Sequence, residues 1–216
     1  MKKSKPLGLI AAGEVSTELA GIARFREELG PVKAASLRVA SRIANRLKAG
    51  HPVADYKSLE TCRVLYISVP AGQLRSAVEA LLSSGLRLRG KRLVIFGSAA
   101  DAQLLDSLRK RGASVATLET GNSVWVHSGP RRFKRMLQPD ARKLVEVAET
   151  NRVHFRAAMA ACDAQLPPLA ALVFARLRDA GLSARQSRDL LERELIRAAR
   201  AAGKPRARAP SAEPRP

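Results

Sequence analysis

Two short runs constrain this chain more than any other feature: VLYISV, residues 64–69, and RLVIF, residues 92–96. Neither alternates apolar with polar side chains, as a strand with one wet face does. An unbroken apolar, β-branched run of this length belongs to a strand covered on both sides, the usual situation in a parallel sheet. Parallel strands need long crossovers, normally helical, and the intervening segments supply them. Residues 73–82 and 101–111 read as helices, the second stopped by Gly112. Upstream, residues 7–11 read as a first strand and 15–29 as a helix with Leu19, Ile22, Ala23, Phe25 and Leu29 on one side. Residues 32–36 form a short strand, 39–48 a basic helix ended by Gly50, and 114–118 a further strand. Repeated strand–helix alternation at this spacing predicts an α/β fold with a doubly wound, mostly parallel sheet.

The pattern changes near residue 130. Residues 124–127 form a last short strand, a basic RRFKR segment follows, and LVEVA within 139–150 fits a strand or a helical turn equally. From Asn151 the chain is helical and alanine-rich. Pro167-Pro168 is expected to break the first helix, because proline lacks the amide donor and collides with the preceding turn. Residues 169–180 form the next helix, with Gly181 as its left-handed stop. Ser183 followed by Gln186 is a capping box launching a helix to about Ala202. The expected organisation is an α/β domain over 1–130, a smaller all-α domain over 131–203, and a disordered basic Pro/Arg tail over 204–216.

Composition narrows the function classes. The formal charge is +20 with only 4% aromatic residues. Such charge suits solvated faces or an anionic partner; nucleic acid is compatible with it, yet no aromatic interleaving and no helix-turn-helix or RNA-binding signature accompanies it. Cys62 and Cys162 lie far apart, and His51, His127 and His154 have no close Cys/His neighbours, so neither a disulfide framework nor a metal site is expected. MKKSK before PLGLIAAG imitates an export signal, but the apolar run ends at Glu14 and glycines interrupt it. A cytoplasmic location without membrane association is the expectation.

The stretch LGLIAAGEVS joins the first strand to the next element through a degenerate form of the glycine-rich dinucleotide turn. The three glycine positions of G-x-G-x-x-G are Ala11, Gly13 and Ser16. Gly13 holds the position where a side chain would most directly obstruct a pyrophosphate, and the other two carry small replacements. Glu14 competes with phosphate for the positive helix end. A site selective for NAD places an acid about 20 residues further on, at the ribose, whereas residues 29–54 contain none. They offer Ser36 with Lys33, Arg38, Arg42, Arg46 and Lys48 instead, a hydroxyl and guanidinium groups suited to a 2′-phosphate. If a dinucleotide binds, NADP is favoured.

LGLIAAGEVS, the basic second βα unit, ISVPAGQL, RGKRLVIFGSAA and the stretch NRVHFRAAMAACDAQLPPLAALVFARLRDAGLS together resemble a group of bacterial Rossmann-like proteins with a helical C-terminal domain of unknown function. These are distant relatives of pyrroline-5-carboxylate reductase, deazaflavin-dependent NADP oxidoreductase and 6-phosphogluconate dehydrogenase. The resemblance, over roughly residues 5–202, implies an NADP-binding domain and a helical domain that mediates homodimerisation. It implies that Ala11, Ala12, Gly13, Glu14 and Val15 face the pyrophosphate, Ser36, Arg38 and Arg42 the ribose phosphate, and Val69 and Pro70 the path to the nicotinamide. Ser98 corresponds to a serine that in relatives precedes glycine; here Ala99 follows it. Where relatives carry His-Pro the chain has Glu119-Thr120, and His154-Phe155 replaces Tyr-His. Candidate proton donors are His154, Glu119 and Ser98. Two readings stay open: an NADP-dependent oxidoreductase with altered substrate-site residues, or a non-catalytic Rossmann-like scaffold that senses a nucleotide, assembles, or binds an anionic partner.

Overall fold

The structure is a computed structural model that describes residues 6–12, 17–22, 25–97, 101–120, 124–134, 136–137 and 143–202. Gly13, Glu14, Val15, Ser16, Ser98 and the 204–216 tail lie outside these residues. The first compact unit runs to Arg152 and the second from Val153.

The first unit is built on eight strands: β1 (Leu7–Ala11), β2 (Leu29–Lys33), β3 (His51–Val53), β4 (Val64–Ser68), β5 (Arg92–Phe96), β6 (Ser114–Thr120), β7 (Val124–Ser128) and β8 (Lys143–Glu146). They form one sheet in the order β3-β2-β1-β4-β5-β6-β7-β8. Every neighbouring pair is parallel except β6 with β7. The chain winds outward from β1 to β3, then returns to lay β4 on the other side of β1, so the topological switch lies between β1 and β4.

The unbroken apolar runs have the predicted cause. Tyr66, Val94 and Phe96 join one buried cluster, with Leu9, Val32 and Trp125. Their neighbours Leu65, Ile67, Leu93 and Ile95 join a second, with Ile10, Val78 and Leu105. Side chains alternate across a strand, so both faces must be covered. Helix α2 (Leu37–Leu47) brings Ala40, Ile43, Ala44 and Leu47 to the first cluster. Helices α3 (Leu74–Ser83) and α4 (Ala102–Lys110) bring Leu74, Val78, Leu81, Leu104, Leu105 and Leu108 to the second. Phe25 meets Tyr66 edge to face at 5.2 Å, and Phe96 meets Trp125 at 6.3 Å.

Several expectations change. The helix expected over 15–29 is, among the described residues, a 3₁₀ turn at Thr17–Gly21 and a single turn α1 at Phe25–Glu28. The amide of Ile22 donates to the Leu19 carbonyl and that of Phe25 to the Ile22 carbonyl, the three-residue step of a 3₁₀ turn. Leu19, Ile22 and Phe25 are buried at that same step, so their periodicity does not distinguish the two helices, and Gly21 weakens the longer one. Strand β2 spans Leu29–Lys33 rather than 32–36, and it stops short of Ser36, which serves as the N-cap of α2. Edge strand β3 was not anticipated from HPV. After α2, Gly50 sits at φ +76° with its Cβ position 2.7 Å from the Gly30 carbonyl oxygen, a place for glycine alone.

The sheet also continues past the boundary expected at residue 130. Strand β8 pairs with β7, Trp125 opposite Leu144 and His127 opposite Glu146, so residues 131–152 belong to the first unit. Between these strands Phe133 and Leu137 are fully buried in the first cluster. At the other end of the sheet Lys91, 7% exposed, donates its ammonium to the carbonyls of Glu60 (2.6 Å), Cys62 (2.8 Å) and Leu59 (3.4 Å). One cation thereby fastens the loop before β4 to the start of β5, and burial lowers its pKa.

The second unit contains helices α5 (Arg152–Asp179, starting at the unit boundary) and α6 (Ala184–Ala202). Contrary to expectation, α5 runs through Pro167 and Pro168 without a break. Proline's fixed φ is already helical, and the carbonyls that lose their amide partners, on Asp163 and Ala164, belong to exposed residues that water reaches. Gly181 adopts φ +88°, the expected left-handed stop. The capping box forms in full: the Ser183 amide donates to the Gln186 side-chain oxygen, and the Gln186 amide to the Ser183 hydroxyl. By length and composition alone, the helical stretch Glu149–Asp179, whose apolar 18-residue window has a mean hydropathy of 1.4, is long and apolar enough to cross a membrane.

Candidate functional site

In an open, doubly wound sheet, ligands bind beyond the carboxyl ends of the strands at the topological switch. Here that point joins the ends of β1 and β4. Ala11, the last residue of β1, pairs with Ser68, and the Ala12 amide donates to the Ser68 carbonyl at 3.2 Å. The Ala12 amide is thus spent on the sheet, and residues 13–16 lie outside the described set. Val69 is half-buried and Pro70 exposed just beyond β4, and a 3₁₀ turn at Ala71–Gln73 leads into α3. Ala11, Ala12, Val69 and Pro70 are therefore brought to one place.

Next to them, the end of β2 feeds α2. The Ser36 hydroxyl accepts the Val39 amide at 3.3 Å, which leaves its own proton free to donate. The amides of Leu37 and Arg38, in the first turn, have no helical carbonyl to receive them. Arg38 and Arg42 stand one turn apart on this helix, both exposed. Lys33, at the end of β2, donates to the Ala34 carbonyl and lies 5.2 Å from the Tyr56 ring centroid. The first acid downstream, Asp55, is turned to its own loop: its Oδ1 accepts the Ser58 amide and hydroxyl, each at 2.9 Å, and these bonds lower its pKa. Sequence reasoning found the basic segment and missed Tyr56, which no motif marks.

The candidate proton donors fare differently. Glu119 lies in β6 opposite Val126, and its Oε1 accepts Arg152 Nε at 2.9 Å and a second guanidinium nitrogen. Arg152 is 5% exposed. Glu119, a candidate donor in the sequence, thus has its carboxylate engaged in a buried ion pair within the first unit. The 33-residue separation of the partners hides the pair from any local motif. His154 is exposed on α5 and belongs to the second unit. Asp101, which the sequence marks only as a helix start, caps α4 by accepting the Leu104 amide at 2.7 Å and pairs with Arg75 at 2.9 Å. A carboxylate thus occupies the α4 N-terminus. His127 and Trp125 share one face of β7, both buried, with Trp125 Nε1 and both His127 nitrogens lacking a hydrogen-bond partner among the described residues. Burial lowers the His127 pKa. No group of metal-ligating side chains occurs among the described residues.

No family model matches the sequence, and no curated protein is significantly similar to it. Solved structures do match. A Pseudomonas putida KT2440 chain described as an oxidoreductase aligns with TM-score 0.65 at 15% identity, over 91% of this chain and 72% of that one. Pyrroline-5-carboxylate reductase from Coxiella burnetii aligns with TM-score 0.60 at 12% identity, over 95% and 82%. An imine reductase from Myxococcus stipitatus, solved with NADP+, aligns with TM-score 0.57 at 15% identity, over 91% and 74%. The chain thus has the Rossmann-like fold of these oxidoreductases, a mostly parallel α/β sheet followed by a helical C-terminal region.

Proposed function

We propose that this chain binds NADP(H) at the β1–β4 switch and acts as an NADP-dependent oxidoreductase. The observation that carries the reading is the basic cap on the end of β2: the Ser36 hydroxyl, the open first turn of α2, and Arg38 with Arg42, with no acid from Leu29 to Ala54. A 2′-phosphate there meets a hydroxyl donor, a helix N-terminus and two guanidinium groups. The cofactor supplies the hydride chemistry; this chain's part is to hold its adenosine end at α2 and lead it past Ala12, Val69 and Pro70. Calorimetric titration with NADPH and NADH tests the reading. Hydrogen bonds to charged groups contribute about 1.5–3 kcal/mol, so one Arg38–phosphate contact gives a roughly tenfold to hundredfold preference for NADPH. Arg38→Ala removes most of that preference and leaves NADH affinity nearly unchanged. Equal, weak affinity for both cofactors in the unmodified protein refutes the assignment.

A second reading, a nucleotide-binding scaffold without turnover, is favoured by the Glu119–Arg152 pair, which engages the carboxylate that stands where relatives have His-Pro. NADPH binding without oxidation in the presence of imine or carbonyl substrates supports it. For the second unit we propose homodimerisation through its helices. Leu166, Leu169 and Leu172 on α5 are 47–57% exposed, and Leu190, Leu195 and Ile196 on α6 are also open. Against the bilayer as the cover stand Asp163, Gln165 and two prolines in mid-α5, since an acid is costly at a bilayer centre. Light scattering at tens of micromolar in detergent-free buffer tests this; a well-behaved monomer refutes it.

A further inference from the structure

The sheet has a second charged edge, opposite the dinucleotide end. In a parallel sheet the loops that precede the strands gather at one edge, and here each carries arginine. Arg63 precedes β4, Arg87, Arg89 and Arg92 stand before or at the start of β5, and Arg111 precedes β6. Because β7 is antiparallel to β6, its downstream residue Arg132 returns to the same edge and donates to the Ser114 hydroxyl. Backbone bonds lock these loops side by side: the Arg92 amide donates to the Arg63 carbonyl at 2.9 Å, the Ser114 amide to the Lys91 carbonyl at 2.9 Å, and the Gly90 amide to the Gly112 carbonyl at 3.0 Å. All six arginines are exposed, and none has a carboxylate partner among the described residues. The acids nearby are engaged: Glu60 accepts the Arg87 backbone amide, while Asp106 and Glu149 both pair with Arg109.

Six solvated guanidinium groups on locked neighbouring loops concentrate positive charge on one edge, which attracts anions. A cleft of about 330 Å³ opens on this edge, with Leu82, Leu86 and Leu88 beneath and Arg87, Arg89 and Arg111 around it, room for a sugar–phosphate unit. No aromatic side chain is exposed on these loops, so the stacking that single strands require is not on offer. We infer that this edge binds the phosphate backbone of duplex nucleic acid, without sequence preference. The inference is independent of dinucleotide binding, which uses the opposite edge.

The test is fluorescence anisotropy of a labelled mixed-sequence DNA duplex with the full chain, across a salt series. Each neutralised phosphate contributes about 0.9 to the slope of log K against log salt. The triple variant Arg87→Ala/Arg89→Ala/Arg111→Ala is expected to reduce that slope by about two to three, while the matching lysine variant keeps it. A control with the same charge change on the helices, Arg176→Ala/Arg185→Ala/Arg193→Ala, retains the slope. Equal losses in the edge and control variants, no loss in the edge variant, or tighter edge-dependent binding of polyglutamate than of the duplex would each overturn the inference.

Discussion

His127 makes the fold acid-sensitive in a way one substitution can isolate. Its side chain is fully buried in β7, paired across the sheet with Leu118 and Glu146, and no hydrogen-bond partner among the described residues reaches either ring nitrogen. Burial lowers its pKa below the usual 6.5; Glu146 pulls it up and Lys134 pushes it down, both more weakly. Above about pH 6.5 the imidazole is neutral in both states and contributes no pH dependence. As pH falls from there, the unfolded chain takes up a proton that the native protein refuses, and stability is lost down to the lowered native pKa. One proton gives a slope of about 1.36 kcal/mol per pH unit in that window. His127→Leu removes the group, so urea unfolding of the variant against wild type is expected to show curves that converge in slope above pH 6.5 and separate by that gradient below it. At neutral pH the variant is expected to be no less stable, because it replaces two unpaired buried nitrogens with apolar surface. Parallel pH profiles for the two proteins would refute the reasoning, since they require native His127 to protonate as readily as in the unfolded chain.

Three further outcomes follow from packing. Lys91→Met leaves the carbonyls of Leu59, Glu60 and Cys62 without their common donor, and a loss of about 2–4 kcal/mol in urea unfolding is expected. Arg152→Met strands the Glu119 carboxylate and is expected to cost about 3–5 kcal/mol; adding Glu119→Gln recovers part of this, and a double variant worse than the single one counts against a direct pair. Gly129 sits at φ +141° with its Cβ position 2.8 Å from Ala116 Cβ, so Gly129→Ala is expected to lower stability by more than about 1 kcal/mol by thermal unfolding.

What could be read from the amino acids alone was whatever local chemistry decides. VLYISV and RLVIF announced strands covered on both faces, because each sets four apolar side chains in a row, Val64–Ile67 and Leu93–Phe96, where a strand with one wet face would alternate. The Gly181 stop and the Ser183–Gln186 box were legible because each is satisfied by atoms within a few residues. The acid-free basic segment around Arg38 was legible as composition, and its placement at the N-terminus of α2 followed from the strand before it. The remainder depended on atoms distant in sequence. Leu19, Ile22 and Phe25 keep a three-residue step that suits either helix type, and only packing beneath Tyr66 and the early start of β2 chose the tighter turn. HPV and KLVE are too short to declare themselves and became strands because β2 and β7 offered them open edges. Glu119 is a candidate donor in the sequence, and only the fold brings Arg152 against it from 33 residues away. The arginine edge arose in the same manner: six side chains scattered from residue 63 to 132 converge because parallel strands gather their leading loops at one end, and β7, running the other way, brings Arg132 back to it.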